Sequence, residues 1–294
     1  MIEQYKRVYA EVDLDAVHYN MEQMRQKTAP DTRIMGIIKA DGYGHGAVQI
    51  GRELETLDYV FGYGVATAEE AFILREAGLH KPILVLGYTF PYAYEEMIEK
   101  EIRPAVFRYD TLDELNACAE RLGKSAKIHI KVDTGMSRIG IRPDESGLQF
   151  VKKALSCEAL EVEGVFTHFA KADEADKTSA YRQIDLMSQF IDKAEADTGF
   201  RIPIKHCSNS AGILEIREAN MDMVRAGITL YGLWPSEEVS RDSISLRPLL
   251  SLKSRIVCIK EVDAGGQISY GGIYTAEKNM RVATIPVGYG DGYP

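Results

Sequence analysis

The chain has 294 residues, 45% of them hydrophobic, and its 35 basic and 44 acidic residues give a net charge of −9. It contains no basic tract of the kind that binds nucleic acid, no apolar run long enough to cross a membrane, and no apolar N-terminal segment typical of a secretory signal. The four cysteines lack the paired spacing of a zinc site or a redox motif, so no metal site is predicted and reduced thiols in the cytoplasm are expected.

Short apolar strands alternate with amphipathic helices over most of the chain, and Asp13, Thr67, Asp110 and Asp144 are expected at the starts of four of the helices. Eight strand–helix steps predict an α/β fold, a closed parallel (β/α)8 barrel of the TIM type. An open doubly wound sheet is the alternative. The predicted strands are 34–39, 59–65, 83–87, 104–107, 128–133, 162–168, 204–208 and 223–226.

The rhythm changes after residue 236, where segments 251–262, 267–274 and 280–287 read as consecutive strands without helices between them. This predicts a barrel domain over residues 1–240 and a mostly β domain that begins at 241–294. The chain stops directly after an apolar strand, so the second domain is expected to be incomplete.

Lys39 stands where the first apolar strand gives way to a glycine-rich loop, 41–46. Because burial disfavours the charged form, a lysine at the mouth of a dry strand tends toward a neutral, nucleophilic amine. Such an amine can form an imine with a carbonyl compound. The plain alternative is a strand-end lysine that reaches out to solvent.

The fifth predicted strand has one polar and one apolar face. His129, Lys131 and Asp133 alternate with apolar residues, and the apolar face should pack on the helices, so the polar face should point into the barrel. A barrel interior without a ligand would be filled by branched aliphatic side chains. The pattern therefore indicates that something polar is bound inside.

Polar residues at the ends of five different strands should meet at the C-terminal mouth of the barrel, where active sites gather. Each histidine taken singly is more often a buried structural residue, but the set as a whole favours a functional site. The five residues are Lys39, Lys131, His168, His206 and Arg225.

A phosphate site is predicted after the last two barrel strands. Asn209 and Ser210 precede a helix, and Gly227 and Ile228 follow Arg225, so both segments offer backbone N–H groups to an anion. An imine-forming lysine beside a phosphate site suggests pyridoxal 5'-phosphate as the cofactor.

Seven motifs in order along the chain resemble those of bacterial alanine racemases, which are pyridoxal-phosphate enzymes built as a barrel plus a β domain. The similarity covers nearly the whole chain. One departure is Gly290, where alanine is common in the family. The motifs are KADGYGHG at 39–46, KVDTGMSR at 131–138, THFA at 167–170, HCSNSA at 206–211, MVRAGI at 223–228, ISYGG at 268–272 and GYGDGY at 288–293.

The resemblance implies interconversion of L-alanine and D-alanine by two bases, which supplies D-alanine for peptidoglycan. Lys39 would hold the cofactor and act as one acid/base. Tyr270 would be the other, contributed by the second subunit of a homodimer. One base on each face is the simplest way to invert a carbon centre.

The remaining roles are also implied by the resemblance. Arg225 would hydrogen-bond the pyridine nitrogen, with His168 and His206 orienting it, and Arg138 would meet the cofactor phenolate and the substrate carboxylate. Lys131 corresponds to a position that can carry a carbamate in this family. The residues around the cofactor, including those at its phosphate, would be Tyr43, Asn209, Ser210, Gly227 and Ile228.

Two other functions fit parts of this pattern. A serine racemase of the vancomycin-resistance type shares most of the motifs. A non-catalytic pyridoxal-phosphate-binding barrel protein would share Lys39 but should lack the β domain and Tyr270.

Overall fold

The structure is a computed structural model that describes residues 7–293. Its contacts divide into two compact units, one over residues 13–249 and the other formed by residues up to 12 and from 250 onward. Two parts of the predictions lie outside the described residues. They are residues 1–6 of the N-terminal segment, where no secretory signal is predicted, and Pro294 of the predicted β domain.

The strands are β1 Val8–Val12, β2 Arg33–Ile37, β3 Val60–Val65, β4 Ile83–Val85, β5 Ile102–Val106, β6 Ala126–Lys131, β7 Leu160–Phe166, β8 Ile204–His206, β9 Met223–Ala226, β10 Leu250–Ser254, β11 Cys258–Val262, β12 Gln267–Ile268, β13 Tyr274–Thr275 and β14 Met280–Thr284. The α-helices are Asp15–Arg25, Ala47–Glu55, Ala68–Glu76, Tyr94–Glu99, Tyr109–Leu122, Glu145–Leu155, Thr178–Thr198 and Ser210–Glu215. A short left-handed turn, Lys39–Gly44, follows β2.

The larger unit is a parallel barrel of eight strands, β2 to β9, in the order β8-β7-β6-β5-β4-β3-β2-β9. The first barrel strand pairs with the last, and backbone hydrogen bonds from Asp222 N to Lys205 O (3.1 Å) and from Arg225 N to Ser208 O (3.0 Å) join the two ends of the sheet. All eight predicted strands correspond to barrel strands. The predicted barrel is therefore confirmed, and the alternative of an open doubly wound sheet is wrong.

The two faces of β6 divide as the alternation predicts. Ile128 and Ile130 are fully buried in the layer between the barrel and its helices, where Leu115 and Val151 belong to the same apolar cluster. Burial of such a side chain contributes about 1.5–3 kcal/mol. The polar residues of the strand are consequently left for the barrel interior.

Local capping was predicted correctly for two helices and wrongly for one. Thr67 accepts a hydrogen bond from Glu70 N, and Asp144 accepts from Ser146 N and Gly147 N. Asp110 instead lies inside the first turn of Tyr109–Leu122, where its carboxylate pairs with Arg108. The arginine is the better partner for that carboxylate because the pair is charge-assisted on both sides.

At the first helix, Asp13 accepts from the backbone N–H groups of Asp15 (3.0 Å) and Ala16 (3.3 Å), so its side chain serves the predicted start. The helix itself begins at Asp15.

The smaller unit is built from short antiparallel pairs. β1 pairs with β10, β11 with β14, and β12 with β13. The predicted division assigned residues 1–240 to the barrel, whereas β1 belongs to the β unit, because it pairs with β10, which begins at Leu250. Such a distant pairing leaves no local pattern.

In the part of the chain that the structure describes, no helix is long and apolar enough to span a bilayer. No three His, Cys, Asp or Glu side chains within residues 7–293 are grouped so that they could hold a metal ion.

Candidate active site

A cavity of about 420 Å³ opens among the loops that follow the barrel strands, a size suited to a cofactor or drug-sized ligand. It brings together ten of the twelve residues predicted for the site. They are Lys39, Tyr43, Lys131, Arg138, His168, Asn209, Ser210, Arg225, Gly227 and Ile228. Of the other two, His206 is fully buried behind Arg225, and Tyr270 lies in the β unit.

Lys39 begins a turn with an unusual backbone. Ala40, Asp41, Gly42 and Tyr43 all have φ between 50° and 61°, and their ψ values of 38° to 50° place them in the left-handed helical region. Three of them are not glycine, and each such residue costs on the order of 1–2 kcal/mol relative to a right-handed one. Strain of this kind is characteristic of functional sites.

Two carboxylates hold the strained turn. Asp41 accepts from Ala47 N at 2.8 Å and thereby joins the turn to the following helix. Glu70 accepts from Ala40 N with one oxygen and from Ala66 N with the other, both at 2.7 Å. The position of Lys39 is therefore fixed by its own strand and by the first turn of a neighbouring helix.

Arg225 lies inside the barrel, with 3% of its surface exposed. Its Nη1 donates to His206 Nδ1 at 2.9 Å, and its Nη2 donates to Thr167 O at 2.8 Å and to Cys207 O at 2.9 Å. His168 Nδ1 also lies 3.2 Å from Nη2, so one of the two N–H groups of Nη2 is shared between two acceptors, and Nη1 donates in addition to His206 O at 3.2 Å. The remaining donor, Nε–H, has no partner among the described residues, which leaves it available to a molecule in the cavity.

The groups around Arg225 are held neutral by burial and by its charge. Burial, reinforced by the Arg225 guanidinium, lowers the pKa of His168 to about 3. The same two causes hold the pKa of His206 well below its usual value. Burial lowers the pKa of Arg225 itself to about 10, so it stays a cation at neutral pH.

Lys131 is an unusual lysine because it is 97% buried and lies among positive charges. Its exposed fraction is 3%, and its Nζ donates to Val132 O at 2.6 Å. Burial lowers its pKa to about 8, and the nearby guanidinium of Arg225 acts in the same direction. Among residues 7–293 no carboxylate forms an ion pair with it.

The residues present fit a bound phosphate group. A Cβ added at Gly227 would lie 3.5 Å from Ser210 Oγ and 4.0 Å from Tyr43 Oη, so the missing side chain leaves a space lined by two hydroxyl groups. The first residues of Ser210–Glu215 and of the 3₁₀ helix Ile228–Tyr231 border this space with N–H groups that have no intrahelical partner. Ser210 Oγ already accepts from Gly227 N at 3.0 Å, which fixes its position.

Two predicted ligands are used differently from one another. Arg138 is exposed at the cavity edge, and no carboxylate in the described part of the chain pairs with it. Asn209 caps the helix Ser210–Glu215 by accepting from Gly212 N at 3.0 Å, which leaves only its amide NH2 group for a ligand.

Tyr270 lies in the 3₁₀ turn Tyr270–Gly272, and 97% of its surface is exposed.

Sequence reasoning missed several contributors. Met136, Phe166 and Asp173 line the cavity but carry no pattern of their own. Glu70 was not singled out, because nothing local in the sequence indicates that its carboxylate reaches back to Ala40 N. Glu163 gave a usable signal, because it is a charged residue at the centre of β7, between Val162 and Gly164.

The matching families and relatives agree with one another. The alanine racemase N-terminal domain family matches residues 12–235, and the alanine racemase C-terminal domain family matches residues 249–294. An alanine racemase of Desulfovibrio desulfuricans is 46% identical over 287 residues, covering 97% of this chain and 76% of that protein. An alanine racemase of Clostridium perfringens is 43% identical over 286 residues, covering 97% and 73%.

Solved structures give the same result. The alanine racemase of Clostridium difficile 630 is 41% identical with a TM-score of 0.89, over 99% of this chain and 75% of that one. The Bacillus anthracis alanine racemase with bound L-Ala-P is 34% identical with a TM-score of 0.85, over 98% and 74%. The two family matches together cover residues of the barrel and of the β unit, and the chain belongs to the alanine racemase family, whose members are isomerases.

Proposed function

We propose that this chain interconverts L-alanine and D-alanine, using pyridoxal 5'-phosphate bound in the barrel cavity, and that it supplies D-alanine for peptidoglycan. Alanine racemases depend on this cofactor. The observation that carries the proposal is that three features meet at one cavity. They are Lys39, the space beside Gly227 that is lined by two hydroxyl groups, and the Nε–H group of Arg225, which has no partner among the described residues. When bound, the cofactor supplies an electron sink that acidifies the Cα–H of the amino acid.

The phosphate end of the cofactor would occupy the space beside Gly227. Ser210 and Tyr43 contribute hydroxyl groups there, and Ile228 contributes a backbone N–H. Neutral donors of this kind bind a phosphate without the mobility of a long cationic side chain. Asn209 supports the same segment as a helix cap.

Arg225 would donate Nε–H to the pyridine nitrogen. Because a guanidinium with a pKa of about 10 keeps its proton at neutral pH, it donates a hydrogen bond without protonating its partner. His168 and His206 accept from Nη2 and Nη1, so the plane of the guanidinium is fixed on its other two sides. An unprotonated ring is a weaker electron sink, which favours racemisation over competing reactions.

Arg138 and Lys131 would serve the carboxylate side. Arg138 lies at the cavity edge without an ion-pair partner among residues 7–293, and the fork of its guanidinium matches a carboxylate. Lys131 with a pKa of about 8 has roughly a tenth of its amine neutral at pH 7, and a neutral amine is the form that reacts with carbon dioxide. A carbamate at Lys131 would replace a like charge beside Arg138 by an opposite one.

Two bases would act on opposite faces of the substrate carbon. Lys39 takes or gives the proton on one face. Tyr270, contributed by a second copy of the chain in a homodimer, does so on the other, and its 97% exposed side chain leaves it free to enter another subunit. We infer that the dimer acts in the cytoplasm, on the ground of family membership.

The experiment is a racemisation assay. Protein incubated with pyridoxal phosphate should form D-alanine from L-alanine, and Lys39→Ala should form none. Equal or faster turnover of L-serine under the same conditions would favour the serine racemase alternative. Absence of any racemisation by a folded, cofactor-loaded dimer would contradict the proposal.

A further inference from the structure

A chain of buried hydrogen bonds runs from Arg225 away from the cavity. His206 Nδ1 lies 2.9 Å from Arg225 Nη1, and His206 Nε2 lies 3.0 Å from His129 Nδ1. His129 Nε2 lies 3.1 Å from Glu163 Oε2. Both histidines are fully buried, and the carboxylate is 8% exposed.

The direction of each hydrogen bond follows from the two ends. Arginine can only donate, so His206 Nδ1 must accept and the proton of a neutral His206 must be on Nε2. His129 Nδ1 then accepts that proton, and its own proton must be on Nε2. An ionised carboxylate can only accept, so Glu163 completes the series of hydrogen bonds in this direction.

The charges of the residues in this series of hydrogen bonds agree with the assigned proton positions. Burial lowers the pKa of both His129 and His206, so both rings stay neutral. Burial alone would raise the pKa of Glu163, but hydrogen bonds from His129 and Arg103 outweigh it and hold that pKa well below its usual range. No carboxylate within the described part of the chain touches Arg225 directly.

The backbone is shaped to admit the His129 ring. A Cβ at Gly164 would lie only 2.5 Å from His129 Nδ1, so a residue with a side chain there would displace the ring. The pairing of β6 with β7 also shifts register between Ile128 and His129. The irregular strand pairing and the missing side chain at Gly164 occur at the same place, which indicates that the backbone holds the His129 ring in one position.

We propose that Glu163 is a positioning residue for Arg225, acting through His129 and His206 by fixing the tautomers of both rings. The role at the cofactor rests on the proposed function, whereas the tautomers do not. Glu163 lies outside the catalytic cavity and lines a separate one with Lys127 and Glu161. It is therefore a residue that can be changed without touching cofactor or substrate.

Three variants separate this role from simple ion pairing. Glu163→Leu removes the acceptor, Glu163→Gln keeps an acceptor but removes the charge, and Lys127→Ala removes a cation 3.2 Å from Glu163 without touching His129. In Glu163→Gln the amide oxygen must face His129, because the reverse orientation would end in two donors facing each other at Arg225.

The first measurement is long-range ¹H–¹⁵N NMR of the cofactor-free protein labelled at its six histidines. Wild type, Glu163→Gln and Lys127→Ala should all show His129 and His206 protonated on Nε2 and unprotonated on Nδ1. A scalar coupling across the N–H···N bond should link His206 Nε2 to His129 Nδ1. In Glu163→Leu the Nδ1 signal of one of the rings should move toward the protonated range.

The second measurement is steady-state racemisation by the loaded dimer. Glu163→Leu should lose at least about tenfold in kcat with KM unchanged, the lower limit for the loss of one hydrogen bond to a charged group. Glu163→Gln should recover most of this loss, and Lys127→Ala should match wild type. Rescue by glutamine is the outcome that an ion-pairing role cannot produce.

The outcomes are distinct. Three results would each overturn the proposal: opposite tautomers in wild type, unchanged tautomers in Glu163→Leu, or an equal loss of kcat in Glu163→Gln and Glu163→Leu. If Glu163→Leu does not fold, the wild-type tautomers and the coupling decide alone. If wild type does not racemise alanine but has the expected tautomers, the proposed function is wrong, whereas the hydrogen-bond series from Glu163 to Arg225 is supported.

Discussion

Replacement of Glu70 by alanine is expected to release the turn that presents Lys39. Each oxygen of this carboxylate accepts one backbone N–H at 2.7 Å, from Ala40 and from Ala66. Ala40 is the first of the three non-glycine residues of this turn that have left-handed φ, so the hydrogen bond acts directly on the strained segment. Without it, nothing else in the described structure holds Ala40 N.

The magnitude follows from two opposing contributions. Hydrogen bonds to a charged acceptor contribute about 1.5–3 kcal/mol each, and water can replace part of this at the exposed Ala40. The strain of Ala40, Asp41 and Tyr43 is on the order of 1–2 kcal/mol for each residue, so the two hydrogen bonds of Glu70 and the strain nearly balance. We therefore expect Glu70→Ala to lower the opening free energy of the turn by ~2 kcal/mol.

Amide hydrogen exchange followed by mass spectrometry measures this opening. In cofactor-free protein, the peptide over residues 38–46 should exchange about thirtyfold faster in Glu70→Ala, the factor that corresponds to ~2 kcal/mol. Glu76→Ala is the matched control in the same helix, since its side chain is 68% exposed. Unchanged exchange in Glu70→Ala, or an equal change in Glu76→Ala, would refute the reasoning.

Three further predictions concern the cavity and the β unit. Gly227→Ala should weaken cofactor binding at least about tenfold, because its Cβ would lie 3.5 Å from Ser210 Oγ in the proposed phosphate space; a cofactor titration measures this. In carbon-dioxide-free buffer, the stability of wild type relative to Lys131→Met should rise by up to ~3 kcal/mol between pH 8 and 10.5 in urea unfolding, because the unfolded lysine keeps its proton after the folded one has lost it. Tyr270→Phe should lower kcat in both directions while cofactor affinity stays within about twofold of wild type.

The barrel could be predicted because its signals are local. Each strand is a short apolar run that ends in polar or glycine residues, and β9, Met223–Ala226, was predicted with its observed bounds. The pairing of β1 with β10 could not be predicted, because it joins residues near the two ends of the chain. The error at Asp110 has a different origin, since Arg108 is only two residues away and the choice between capping and an ion pair depends on side-chain geometry that composition does not encode.

The site could be predicted as a set of residue types at strand ends, and less well as a set of contacts. The convergence of Lys39 and Arg225 follows from barrel geometry once the strands are known. The left-handed turn does not, because alanine and aspartate favour right-handed backbone in isolation. Glu163 contributes through two intervening rings, and no sequence spacing connects it to Arg225.

The measurement that tests the central claim most directly is activity in mixed dimers. Lys39→Ala and Tyr270→Phe should each be inactive alone, and after subunit exchange about half the dimers are mixed, each with one site in which both residues are wild type. Up to roughly a quarter of wild-type activity should return, as expected for a two-fold interface shared by both subunits. No recovery from subunits that native mass spectrometry shows to have exchanged would contradict a site that pairs Lys39 of one copy with Tyr270 of the other.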